Sequence, residues 1–224
     1  MLDPLANFDW TTLHQRYDSA CSKGGTFERN ASGYLDFVQP RPDSDRTLYY
    51  SLVGQFAQGS PSSGITLGCY EAMLYWKLYS QPAAVANICK RLKDDAGQRD
   101  VTSRELARIS SGLPATLTKD PDEIVRVLTG LTKYLHGMAS SCAIPVRTTL
   151  LHFVYPEVVP IFDKQVLFAV GVADKEANHS YEFLREYIPH AWSLADRYQP
   201  RLRTFEKETA VRLIDMALWV SRGR

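Results

Sequence analysis

The sequence predicts an all-α, two-lobed multi-helix protein, and three observations carry that expectation. Apolar residues recur at helical spacing through most of the chain. Ser, Thr or Asp caps and prolines punctuate these runs at helix-length intervals. The links are short, with no repeat and no low-complexity tract, which gives about nine or ten helices. Within residues 26–46 one short N-terminal strand pair is expected. Tyr34, Leu35, Phe37 and Val38 are its good strand formers.

In order, Asp9 begins a helix carrying Trp10, Leu13 and Tyr17, and Gly24 and Gly25 end it. Thr47 to Ala57 follows, with Leu48, Leu52 and Phe56 on one stripe. A Gly- and Ser-rich link with Pro61 covers Gln58 to Gly64. It divides an N-terminal helical and irregular elaboration, 1–64, from a main helical domain, 65–224. The N- and C-terminal segments can still share a lobe. Thr66 to Ser80 is an aromatic-rich helix, and Pro82 opens the next, ending near Gly97. Thr102 to Glu105 reads as a capping box starting a helix that Gly112 and Pro114 stop. Asp120 caps a helix with Pro121 at its first position. Its stripe is Ile124, Val127, Leu128, Leu131 and Leu135, and Gly137 ends it.

A loop from Ser140 to Pro145 then opens a helix at about Val146, which Pro156 stops. Pro160 keeps the chain extended up to Asp163. Asp163 reads as the cap of a short helix carrying Val166, Leu167 and Val170, with Gly171 as its C-terminal stop. Ser180 caps a helix, Pro189 opens another that Pro200 ends, and Thr204 to Val220 is the last helix.

Composition bounds the function. The chain has 224 residues and a net charge of +1, so nucleic-acid binding would need a local basic patch. The section from Arg197 supplies the largest such concentration, with Arg201, Arg203, Lys207, Arg212, Arg222 and Arg224. Cys21, Cys69, Cys89 and Cys142 lack metal-ligand spacing. The five histidines form no ligand pair, so no metal and no cofactor are expected. No apolar run suits a membrane span and the N-terminus lacks a signal-peptide layout. A cytoplasmic, intracellular protein with reduced thiols is the simplest expectation.

The stretch CAIPVRTTLLHF, from Cys142 to Phe153, followed by VPIFD, from Val159 to Asp163, resembles the helix-hairpin-helix DNA glycosylase superfamily. Upstream, EAMLYWKLYSQPAAVANICKRL is similar to the family's early helix, Ser-Gln turn and following helix. The resemblance spans roughly Leu67 to Gly171. It implies a helical glycosylase-like domain that binds double-stranded, lesion-bearing DNA and hydrolyses an N-glycosidic bond. Asp163 matches the catalytic aspartate. Arg147, Lys164, Ser141, Gln81, Trp76 and Lys133 are the residues expected against DNA or the extruded base. Arg147 stands near the place of the lysine that lyase-competent members carry. Arginine stays protonated and forms no Schiff base, so monofunctional action is implied. The family's hairpin carries Gly-x-Gly, where this chain has Ala143-Ile144-Pro145.

Plainer readings stand beside these. Asp163 caps a helix in either case. Trp76, Tyr75 and Tyr79 fit a core stripe as well as a stacking platform, and Gln81 fits turn chemistry before Pro82. His152 reads as a satisfied core histidine. The alternative function is a non-catalytic nucleic-acid-binding or protein-interaction helical domain.

Overall fold

Helix signals of the sequence set the architecture. The computed structural model describes residues 1–21, 26–29, 35–38, 44–58, 64–78, 96–131, 135, 143–174 and 176–221. Its helices are α1 (Leu13–Cys21), α2 (Ser44–Gln58), α3 (Leu67–Leu78), α4 (Ala96–Gly112), α5 (Pro121–Gly130), α6 (Ile144–Val154), α7 (Lys164–Ala169), α8 (Tyr181–Leu202) and α9 (Ala210–Ser221). Strands β1 (Thr26–Arg29) and β2 (Leu35–Val38) form an antiparallel pair with Phe27 opposite Phe37. The fold is therefore all-helical apart from one hairpin, as the sequence predicts. No helix of the described residues is long and apolar enough to cross a membrane.

The chain divides into two compact units. The first joins Met1–Tyr17, Thr116–Gly130 and Ser141–Arg224; the second joins Asp18–Ala115 and Leu131–Ser140. The Gly- and Ser-rich link at 58–64 falls inside the second.

In the second unit, α3 is buried along most of its length, from Tyr70 to Trp76. Its Trp76 indole donates to the Asp45 carbonyl at 3.2 Å, and the ring lies 5.7 Å from that of Tyr49. Arg46 grips both oxygens of Asp18, at 2.8 and 2.7 Å. The Ser110 hydroxyl donates to Leu106 at 2.8 Å and accepts the Ile65 amide at 2.7 Å. That fixes the entry to α3 against α4.

In the first unit, α9 is apolar enough to be buried on nearly all sides, from Val211 to Leu218. Arg212 and Asp215 are the charged exceptions, at 1% and 5% exposed. They pair with each other, and Arg212 also donates to the Tyr17 hydroxyl at 2.7 Å. Its guanidinium stands over the Tyr17 ring, 5.0 Å from the centroid.

Several expected boundaries move. Helix α4 runs through Gly97, and Thr102 lies inside it, buried, rather than at a cap. A Ser/Thr-x-x-Glu pattern also fits a helix interior when the preceding residues extend the helix, as they do here. Helix α5 ends at Gly130, short of Gly137, although Leu131 and Leu135 are buried. Pro189 and Pro200 lie inside one continuous α8. Pro189 is exposed, while Ile188, Ala191, Trp192, Leu194 and Ala195 are buried. Burial of that face outweighs the roughly 3 kcal/mol cost of an interior proline. The last helix starts at Ala210, where Thr209 accepts the Arg212 amide at 3.1 Å, and not at Thr204. The helix expected from Pro82 lies outside the described residues.

Candidate active site around Asp163

Asp163 caps α7. Its Oδ1 accepts the amides of Gln165 at 2.8 Å and Val166 at 3.2 Å. Both bonds fall on one oxygen, so Oδ2 takes no part in the cap. The helix closes at its other end on Gly171, whose φ of +85° suits glycine. Val172 donates to Leu167 at 2.9 Å and Gly171 to Phe168 at 3.1 Å, a Schellman stop.

The connection that presents Asp163 is held at each step by a side chain. Thr209 donates to the Pro156 carbonyl at 2.8 Å. The Trp192 indole donates to Val158 at 2.7 Å. His152, fully buried on α6, donates from Nδ1 to Val159 at 2.7 Å. The Thr148 hydroxyl accepts the Phe162 amide at 3.2 Å. Pro160 adds its own stiffness. A segment without regular structure is thus tied by side chains at Pro156, Val158, Val159 and Phe162. The residue it delivers is a carboxylate that stays partly exposed.

Arg147 sits one residue before Thr148, partly exposed in the first turns of α6. Its Nη1 donates to the Tyr181 hydroxyl at 2.9 Å, at the start of α8. The beginnings of α6, α7 and α8 are therefore linked through Thr148, Phe162, Arg147 and Tyr181. Helix beginnings carry partial positive charge and favour anions. Underneath lies Tyr187, fully buried, with its ring 5.6 Å from that of Phe162. Its hydroxyl has no hydrogen-bond partner among the described residues. Burial first, then the charges of Asp215 and Asp163, push that phenol well above its ordinary value. It stays protonated at any ordinary pH.

Lys164 follows Asp163 and is exposed. Trp76 belongs to the second unit and is 6% exposed, bound to Asp45 and packed on Tyr49. Core packing replaces the stacking surface expected of it. Ser141, Gln81 and Lys133 lie outside the described residues. The expected basic patch from Arg197 is thinner than the sequence implies. Arg212 is buried in its pair with Asp215, and Arg197 pairs with Asp3. Arg201, Arg203 and Lys207 remain exposed.

No family model, no curated protein and no solved structure matches this chain. Among the described residues, no group of three or more His, Cys, Asp or Glu side chains is placed to hold a metal ion. The residues that sequence reasoning missed are Thr148, Tyr181, Tyr187, Trp192 and Thr209. A threonine within the apolar run of α6 was the one available signal, because a buried hydroxyl needs a partner.

Proposed function

We propose that this chain is a DNA glycosylase-like hydrolase, monofunctional, that removes a damaged base from duplex DNA with Asp163 as its carboxylate. The observation that carries this reading is a partly exposed Asp163, placed at the start of α7 by a connection that side chains of Thr148, His152, Trp192 and Thr209 hold. In N-glycosidic hydrolysis the C1′–N bond breaks with its electron pair leaving on the base. Positive charge then grows on the sugar. A carboxylate held beside it stabilises that charge, and takes a proton from the water whose oxygen bonds to C1′. That proton passes on to the departing base. Extrusion of the base from the stack precedes these steps. Arg147, with Lys164 exposed nearby in sequence, supplies cations for the backbone phosphates.

The test is base release from a panel of lesion-bearing duplexes by the wild type and by Asp163→Asn. Asparagine also caps helices, so the fold is kept while the carboxylate is removed. Release by the wild type and its loss in the variant are expected. Release that survives the substitution removes Asp163 from the role.

One observation favours the alternative, a non-catalytic nucleic-acid-binding or protein-interaction domain. The start of α6 has no side-chain cap, Pro145 contributes no amide, and Ile144 and Val146 are buried. That hairpin offers a phosphate few donors. Binding to undamaged duplex that weakens steeply with salt, with no base released from any lesion, would select this reading. Absence of any DNA binding would point to a protein partner.

A further inference from the structure

We infer that the first three residues form a releasable clasp tying the C-terminal end of α7 to α8, and so set how firmly the helix capped by Asp163 is held. The Leu2 peptide groups are bonded on both sides. The Leu2 amide donates to the carbonyl of Val170, the C-cap residue of α7, at 2.8 Å. The Leu2 carbonyl accepts Nε2 of His190, on α8, at 3.0 Å. One residue further, Asp3 accepts the Tyr198 hydroxyl at 2.8 Å and pairs with Arg197, both on α8. The same carboxylate accepts the Leu5 amide at 2.9 Å, which fixes the turn behind the clasp.

Apolar burial does not hold the tip. Met1 is 43% exposed and Leu2 66% exposed, whereas Leu5 is fully buried and anchors the arm behind them. An open cavity of about 580 Å³ lies beneath, lined by Leu2, Phe8, Phe168, Val172 and Ser221 among others. The tip is therefore fastened at a few polar points above open space. Each such bond is individually weak, so opening requires no loss of core. Helix α7 is only six residues long and cannot hold its own geometry in isolation. Its N-terminal end is pinned through Phe162 and Thr148. Its C-terminal end is bonded from outside by Leu2, beside the packing of its buried Leu167 and Val170. Opening the clasp loosens α7 from that end. The inference stands whether or not the proposed chemistry does.

Hydrogen exchange read by mass spectrometry tests it in the full chain. In Asp3→Ala, the amides of Val170, Gly171 and Val172 are expected to exchange roughly three- to tenfold faster, as the loss of one ion pair and two hydrogen bonds implies. Amides of α6 and α9 are expected to keep their wild-type rates. The charge swap Asp3→Arg with Arg197→Asp is expected to restore part of the protection at 170–172, because the ion pair returns while arginine accepts neither the Tyr198 hydroxyl nor the Leu5 amide. Faster exchange confined to residues 1–8, with 170–172 unchanged, would overturn the inference. If Asp3→Ala exchanges faster everywhere, the swap decides. Rescue upholds the tie, and failure to rescue overturns it.

Discussion

The hydroxyl of Thr148 accepts the amide of Phe162 at 3.2 Å, in a buried setting, one residue ahead of Asp163. Thr148→Val keeps the shape and removes the acceptor. The Phe162 amide is then buried without its partner, at a cost of about 1–3 kcal/mol. An unfolding free energy lowered by that amount in chemical denaturation is expected, with Thr148→Ser close to the wild type. A Val variant as stable as the wild type would show that this bond does not hold the connection.

Capping and chemistry at Asp163 separate in two substitutions. Asp163→Ala is expected to lose about 1 kcal/mol of stability as a cap deletion. Asp163→Asn is expected to lose much less, because asparagine caps almost as well. Both remove base release under the proposed function. Chemical denaturation read beside the release assay distinguishes a lost cap from a lost carboxylate.

Arg212 and Asp215 form a buried pair on α9, so deleting one partner strands the other. Asp215→Asn is expected to cost about 3–5 kcal/mol, the range for an uncompensated buried charge. The double variant Arg212→Met with Asp215→Leu is expected to recover most of that loss. Equal stability of the single and double variants would mean that the stranded charge is not the cause.

Tyr187→Phe is expected to be neutral or mildly stabilising. It removes a buried hydroxyl that has no partner among the described residues and keeps the ring against Phe162. A loss above about 1 kcal/mol would reveal a hydrogen bond made by that hydroxyl in solution.

His190 gives a pH signature. Burial holds its imidazole below the ordinary value of 6.5, with Arg197 and the N-terminal amine acting the same way. The Leu2 carbonyl and Asp3 act in the opposite sense. The unfolded chain therefore takes up a proton at higher pH than the folded one does. Stability from this residue is fully present above the ordinary value and is lost as pH falls below it. Gln at position 190 can still donate to Leu2. His190→Gln is expected to flatten the fall of the unfolding midpoint between roughly pH 7 and 5. Parallel curves for the two proteins would exclude His190 as its source.

Local signals proved legible where one residue decides the geometry. Asp163, Asp120 and Ser180 all cap helices, and Gly171 takes the left-handed turn expected of it. His152 is the satisfied core histidine that its place on an apolar helix suggests. Signals failed where distant packing overrides a local rule. Pro189 continues a helix because one face of α8 is buried around it. Arg212 looks like a solvated cation in a basic run, and its burial is compensated by Asp215 on the same helix and by Tyr17, which approaches from far along the chain. The side chains that hold the Asp163 connection reach it from α6, from α8 and from Thr209 just ahead of α9. No periodicity within 156–162 could announce them.

The first unit is assembled from segments at opposite ends of the chain. Tyr17 and Arg212 lie 195 positions apart, as do Asp3 and Tyr198. During synthesis, Met1–Tyr17 leaves the ribosome ahead of α8 and α9 and finds none of these partners until they have followed. The stretch Asp18–Ala115 emerges in between. Such long-range closure slows folding, since the loop entropy comes due before the contacts form. A chain begun at residue 65 would lack Leu5, Leu13 and Tyr17 from the core it is meant to keep. A segment made well before its partners is thus among the last to be seated.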